Sequence, residues 1–273
     1  MGNGILTLCH PSSTAEQRFC KAKVPGSSPG GGFFRNMNQT QKGHIHLISQ
    51  AIREIADIFA PLGFSVADGP EMEDEWYNFD ALNMPKDHPA RDMQDTFWIK
   101  SKERLVLRTH TSPVQVRSME EKLKKGIKPP YRIIVPGKVF RNEATDATHE
   151  AQFYQVEGLY VDKKVSLAQL KWTLLYFFRK FFNDEKVEVR FRPSFFPFTE
   201  PSMEVDMKRN GKWLEMGGAG LVHPHVFESV GLSPKKYRGF AFGCGIDRLL
   251  MLRHGVQDVR MFCNGDLRVV SQF

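Results

Sequence analysis

Cysteine is scarce in this sequence. The four present, Cys9, Cys20, Cys244 and Cys263, are spread over 273 residues with no CxxC spacing. That excludes a disulfide-stapled scaffold and a thiolate zinc site, and it fits a reduced, cytoplasmic setting. Long apolar runs are missing too. The most apolar windows, around Trp172–Phe182 and Gly239–Leu252, are short and broken by charges, which argues against a membrane-spanning helix. The glycines at 239, 243 and 245 lack the dinucleotide-fingerprint spacing and have no phosphate-loop lysine after them. The nine histidines include "HIH" and "HPH", but neither has the companions of a zinc site, and both read as structural. The N-terminal stretch has neither a secretory signal's pattern nor the arginine content of a transit peptide.

What is present describes an ordinary globular chain, 41% hydrophobic and 25% charged. Lysine and arginine number 38 against 31 acidic residues, a net charge of +7. That surplus suits a polyanionic partner, and equally a merely soluble basic surface. Residues 1–42, with "VPGSSPGGGFF" and no sustained apolar period, read as a disordered leader or a misassigned start without a coiled-coil arm; residues 43–273 read as one domain. Ile45, Ile48, Ile52, Ile55 and Phe59 predict an amphipathic helix ending at Pro61 and Gly63. "FSVADGP" predicts a short strand, and the turn-rich stretch 71–98 predicts no regular structure. "RLVLRTHTSPVQVRSM" predicts a strand running into a helix capped by Ser112. "YRIIVPGKVFRNE" reads as strand, turn, strand, and "AQFYQVEGLYVD" as a strand. A long helix follows from Ser166 to Phe182, then three strands, the first ending near Arg192, and a helix entered through glycines at "CGIDRLLMLRHG". The tally is an α+β domain, a mostly antiparallel sheet with helices gathered on one side.

Alternation in "FYQVEGL" puts Phe153, Gln155, Glu157 and Leu159 on one face and Tyr154, Val156 and Gly158 on the other. An exposed sheet face would explain the polar row. Arg141 and Glu143, two apart on what reads as the preceding strand, add a guanidinium and a carboxylate to the same face, a set able to hold both a phosphate and an ammonium group. Arg248, just inside the last helix, could meet a triphosphate or stack on a base. The phenylalanines and prolines of "RFRPSFFPFTEPS" would wall an apolar cavity, and Glu200 and Glu204 beside them could bind a hard cation.

Together, "VFRNE" through "HEAQFYQVEG", "GFAFGCGIDRL", "HPARDMQDTFW", "RTHTSPVQVR", "FFPFTEPS" and "GGAGLVHP" resemble the catalytic alpha chain of bacterial phenylalanyl-tRNA synthetases, class II enzymes, over about five-sixths of the sequence. The resemblance implies a six- to seven-stranded antiparallel sheet flanked by helices, ATP and Mg²⁺ as substrate and cofactor, phenylalanyl-adenylate formation, and transfer to the terminal adenosine of tRNA(Phe). It implies that Arg141 and Arg248 are catalytic and bind ATP with Glu143, His149 and Phe153. His110, Ser112, Gln115, Gln155, Glu157, Phe196, Phe198 and Ala241 would bind phenylalanine, and Glu200 a magnesium ion. An apolar pocket rejects an added hydroxyl only about a hundredfold, so tyrosine calls for editing; the family keeps that on a beta subunit, which implies an α2β2 assembly. Two other readings stand beside this one: a paralogue making an adenylate for an acceptor other than tRNA, and a non-catalytic RNA-binding scaffold.

Overall fold

Helix α1, Leu47–Phe59, turns Ile48, Ala51, Ile55 and Phe59 into the interior. His46 caps it, its ring nitrogen accepting from Ile48 N–H, and a turn containing Pro61 ends it at the left-handed Gly63. This computed structural model describes residue 43 and residues 45–86 and 96–273. The proposed leader, Cys9, Cys20 and most of "HPARDMQDTFW" lie outside the described residues. In chain order there follow β1 (Ser65–Val66), β2 (Met72–Asp74), α2 (Glu75–Asn78), β3 (Leu105–Leu107), α3 (Ser112–Lys124), β4 (Tyr131–Phe140) and β5 (Gln152–Asp162). After these come α4 (Leu167–Phe182), β6 (Glu188–Phe196), β7 (Thr199–Arg209), β8 (Lys212–Val222), α5 (Pro224–Ser229), β9 (Arg238–Gly245), α6 (Ile246–His254) and α7 (Leu267–Val270).

Seven strands form one sheet in the order β1-β4-β5-β9-β8-β7-β6, and β2 pairs with β3 apart from it. Only β1 and β4 run parallel within the large sheet. On one face α1, α4 and α6 bury Phe59, Phe177, Phe178, Phe181 and Leu249 against Val156, Val205, Met207 and Phe240. Each fully buried ring contributes about 2–3 kcal/mol. Helix α4 begins with a capping box: Ser166 Oγ accepts from Gln169 N–H while the Gln169 side chain accepts from Ser166 N–H.

Helices are not confined to that face. A second apolar cluster packs Val114, Val116 and Met119 of α3 and Val226 and Phe227 of α5 over Ile133, Val135, Leu159 and Val161. Segment 71–98 also holds short elements, β2 and α2, with Asp74 capping α2. The stretch "VPG" makes no turn, and β4 runs unbroken from Tyr131 to Phe140. Pro136 is tolerated because β1 pairs with β4 only at Ile133 and Ile134, so at Pro136 no strand pairs with that side of β4. At Gly137 the buried Arg108 guanidinium occupies the space a Cβ would need, so a side chain there would have to displace Arg108 Nη2. Strand β6 likewise continues past Arg192 to Phe196, Pro193 being harmless on an outermost strand.

Candidate active site

The alternation in β5 delivers Gln155 and Glu157 to one wall of a cavity of about 530 Å³. Glu157 is buried and accepts three hydrogen bonds from one short segment. Thr111 N–H donates at 3.0 Å, Ser112 Oγ at 2.6 Å and Gln115 Nε2 at 2.8 Å. Ser112 is therefore no helix cap: Thr111 occupies that position and the Ser112 hydroxyl is spent on the carboxylate. Burial raises the Glu157 pKa, and those hydrogen bonds, with Arg108 nearby, oppose the rise.

The segment carrying these donors is fastened at its other end. Asn78 and Thr109 exchange two hydrogen bonds, and Arg108 donates from Nε to Lys138 O and from Nη1 to Gly69 O and Pro70 O. Between the fastenings His110 faces the cavity with both ring nitrogens buried and unpartnered. Burial first, then the Arg141 and Arg108 charges, pushes its pKa down to about 3, so the imidazole is neutral at neutral pH. Gln155 Oε1 is buried without a partner as well. Unpaired polar atoms on a cavity wall each cost about 1–3 kcal/mol unless a ligand completes them.

The floor is bare backbone. Across the sheet Glu157 pairs with Gly243, Gly243 with Gly218, Gly218 with Glu204, and Glu204 with Arg192. Two carboxylates thus flank a pair of glycines, where a flat ligand can lie against the strands. Glu204 is taken by Arg192 Nη1 at 2.7 Å, which uses it as an ion-pair partner rather than a cation ligand. Phe196 and Phe198, stacked at 6.0 Å and 13°, wall the apolar end, and Ala241 lines the cavity with them.

Of the residues expected at the site, Arg141, His110, Ser112, Gln115, Gln155, Glu157, Phe196, Phe198 and Ala241 come together around the cavity. Glu143, His149, Phe153, Arg248 and Glu200 do not line it. Arg141 and Glu143 lie beyond the end of β4 rather than on it. Arg141 is packed over the Phe153 ring at 5.0 Å, and burial lowers its pKa while Glu143 and Glu157 act to raise it. His149 is exposed, and its Nδ1 lies 3.0 Å from an Asp146 carboxylate held well below the usual range by this ring and by Thr148. Arg248 is exposed on α6 and donates from Nε to Glu215 O at 2.8 Å. Glu200 is 74% exposed and 3.4 Å from His223 Nε2. Sequence reasoning missed Leu82, Thr199, Gly218, Val222, Val226 and Gly243, all of which line the cavity. The paired glycines of "GGAG" and "GCG" were the available signal for two of them.

Beside Arg248, Asp247 ties α6 to β5. Its Oδ2 accepts from Tyr154 N–H at 2.6 Å, while Oδ1 is buried without a partner. Burial raises its pKa to about 6 against an ordinary 3.8, with hydrogen bonds from the Tyr154 and Asp247 amides opposing. The folded chain thus binds this proton more tightly than the unfolded one. The stability that protonation confers is complete below pH ~4 and is lost as pH rises through ~6. Urea midpoints of the natural chain and Asp247→Asn should diverge by on the order of 3 kcal/mol over that interval, the natural chain being the relative loser at higher pH. A pH-independent difference would mean that Asp247 is not desolvated.

The antiparallel sheet with its cavity between α3, the β6–β7 hairpin and the bare strands β8 and β9 is the architecture of a class II tRNA synthetase core. The family model for the tRNA synthetases class II core domain (F) matches residues 33–273, and the chain belongs to that family. Within it, the chain is a member of the phenylalanine–tRNA ligase alpha-subunit group. It is 51% identical over 254 residues to the alpha subunit of Zymomonas mobilis, covering 85% of this chain and 68% of the relative. The Proteus mirabilis subunit is 50% identical over 263 residues, covering 96% and 76%. That of Colwellia psychrerythraea is 56% identical over 235 residues, covering 86% and 68%. Among solved structures, a pyrrolysyl-tRNA synthetase from Desulfitobacterium hafniense shares the fold, with a TM-score of 0.63 at 19% identity over 81% of this chain and 74% of that one.

Proposed function

We propose that the chain is a phenylalanine–tRNA ligase alpha subunit that activates L-phenylalanine with ATP and passes the phenylalanyl group to the terminal adenosine of tRNA(Phe). Residues 43–273 are its catalytic domain. The observation that carries this reading is the buried Glu157 carboxylate, clamped by Thr111, Ser112 and Gln115 at one end of a cavity whose other end is walled by Phe196 and Phe198. Such a cavity is complementary to a zwitterion with a benzyl side chain. The ammonium group meets Glu157 and Gln155, and neutral His110 offers an acceptor without adding a repelling charge. The ring lies between Ala241 and the phenylalanine wall.

In the first step the substrate carboxylate attacks the α-phosphorus, forming the mixed anhydride as the bond to pyrophosphate breaks. Because a carboxylate is already the nucleophile, no general base is required. What must be supplied is neutralisation of charge on the phosphoryl oxygens. Arg141, at the cavity wall, does this, with Glu143, His149 and Phe153 of the adjoining segment and Arg248 of α6 serving the nucleotide. In the second step a ribose hydroxyl of tRNA attacks the anhydride carbonyl and AMP departs. ATP arrives as its magnesium complex. Glu200 does not fit a resident Mg²⁺ site by itself, being one exposed carboxylate beside a histidine, and among the described residues no group of three His, Cys, Asp or Glu side chains could hold a metal. A beta subunit in an α2β2 assembly and a cytoplasmic location complete the proposal. No described helix is long and apolar enough to cross a membrane.

Pyrophosphate exchange across all twenty amino acids, with this chain alone and with a beta subunit added, tests the reading. Exchange driven by phenylalanine, with tyrosine a weak second, is expected. Exchange driven by another amino acid would replace it with the paralogue reading, and none at all with the beta subunit present would leave a scaffold.

A further inference from the structure

We infer that Gly218 is a specificity-determining residue: its missing side chain fixes where the Phe196 ring stands, and so how wide the slot for the substrate's ring is. This deepens the phenylalanine reading and rests on it. A Cβ built on Gly218 would come within 2.8 Å of both Cε2 and Cζ of Phe196, a separation that real Cβ atoms do not show. Something must shift, and the backbone of Phe196 is not free to do so. Its N–H donates to Ser202 Oγ at 2.9 Å, and the buried Ser202 donates in turn to Thr199 O at 2.7 Å, which ties the β6–β7 hairpin together. The ring is left to rotate. Its ring neighbour on the wall is Phe198, stacked at 6.0 Å, whose own ring is 6.0 Å from His110. Displacement of Phe196 therefore travels along the aromatic wall into the cavity.

The neighbouring glycines answer to different atoms. A Cβ at Gly217 would strike Gly243 O at 2.0 Å, and one at Gly220 would strike Pro201 O at 2.5 Å, so substitutions there break the sheet's backbone. At Gly243 the nearest atom is Glu157 Cγ at 3.2 Å. Of these four, Gly218 alone reports to an aromatic ring of the wall.

The experiment is a double-mutant cycle on the alpha chain assembled with its beta subunit, read by pyrophosphate exchange. Gly218→Ala is expected to raise KM for phenylalanine about tenfold while KM for ATP moves less than about twofold. Phe196→Leu removes the two colliding ring atoms, so adding Gly218→Ala to it should change KM for phenylalanine by less than about twofold. Equal effects of Gly218→Ala in both backgrounds, an unchanged KM, or parallel rises in both KM values would overturn the inference. If Gly218→Ala alone fails to fold, the doubly substituted chain should still fold; its failure would show that the collision is not with the ring. Absence of phenylalanine-dependent exchange in the unsubstituted enzyme overturns the functional reading and this inference together, whereas normal exchange with an indifferent Gly218→Ala overturns the inference alone.

Discussion

Arg141→Ala should reduce phenylalanine-dependent pyrophosphate exchange about a thousandfold while leaving the thermal midpoint unchanged or slightly raised. The two halves of that expectation have one cause. Arg141 is a largely desolvated guanidinium with no carboxylate within salt-bridge distance among the described residues; its Nε donates to Thr109 O at 3.4 Å. Holding an uncompensated cation there destabilises the empty protein, and the depressed pKa is the signature of that cost. On the proposed reading, that cost is recovered when negative charge develops on a phosphoryl group beside it, in surroundings where water screens little. A structural arginine would behave the other way, its loss lowering the midpoint and leaving kcat per folded molecule intact. Exchange assays beside calorimetry on the same preparation separate the two, and near-normal exchange would remove Arg141 from the chemistry.

Where the sequence was legible, a single period governed. The twofold alternation of β5 put Gln155 and Glu157 on the cavity side and Val156 in the core, because both faces of that strand are committed and a one-residue slip would exchange them. The apolar spacing of α1 was legible for the same reason, apart from Ile45, which precedes the helix and is 45% exposed. Local rules failed where a distant residue decided. "VPG" has the composition of a turn, yet it is straight strand because no strand pairs with β4 beside Pro136 and Arg108 fills the space above Gly137. Ser112 stands where a cap belongs, but Glu157, 45 positions away, claims its hydroxyl. Arg108 itself drew no notice, since arginine is rarely buried and nothing adjacent in sequence names the three carbonyls that hold it. The glycines of "GGAG" and "GCG" stood out as pairs, but a residue whose function is to leave room does not show in its own neighbourhood which side chain needs that room.

Arg108→Met is expected to destabilise the domain by on the order of 3–5 kcal/mol. Arg108 is 2% exposed, and its guanidinium satisfies Lys138 O, Gly69 O and Pro70 O at once. Burial lowers its pKa, while Glu71, Asp68, Glu157 and Glu73 act to keep it charged. A methionine fills similar volume but abandons all three acceptors. The backbone of Arg108 adds to the damage, since its N–H donates to Glu71 O and its carbonyl accepts from Phe140 N–H, one residue before Arg141. Gly137→Ala should reach the same end by another route, its Cβ arriving 2.4 Å from Nη2 and evicting the guanidinium. Since both variants break one arrangement, their effects should not add: Gly137→Ala should cost little more once Arg108 is methionine. Urea midpoints of the two single variants and the double variant decide this, and simple additivity would show that Gly137 is held for some reason other than Arg108. Whatever remains folded should bind phenylalanine weakly, because the segment that loses its anchor at Arg108 is the one that carries His110 and presents Thr111 N–H and Ser112 Oγ to Glu157.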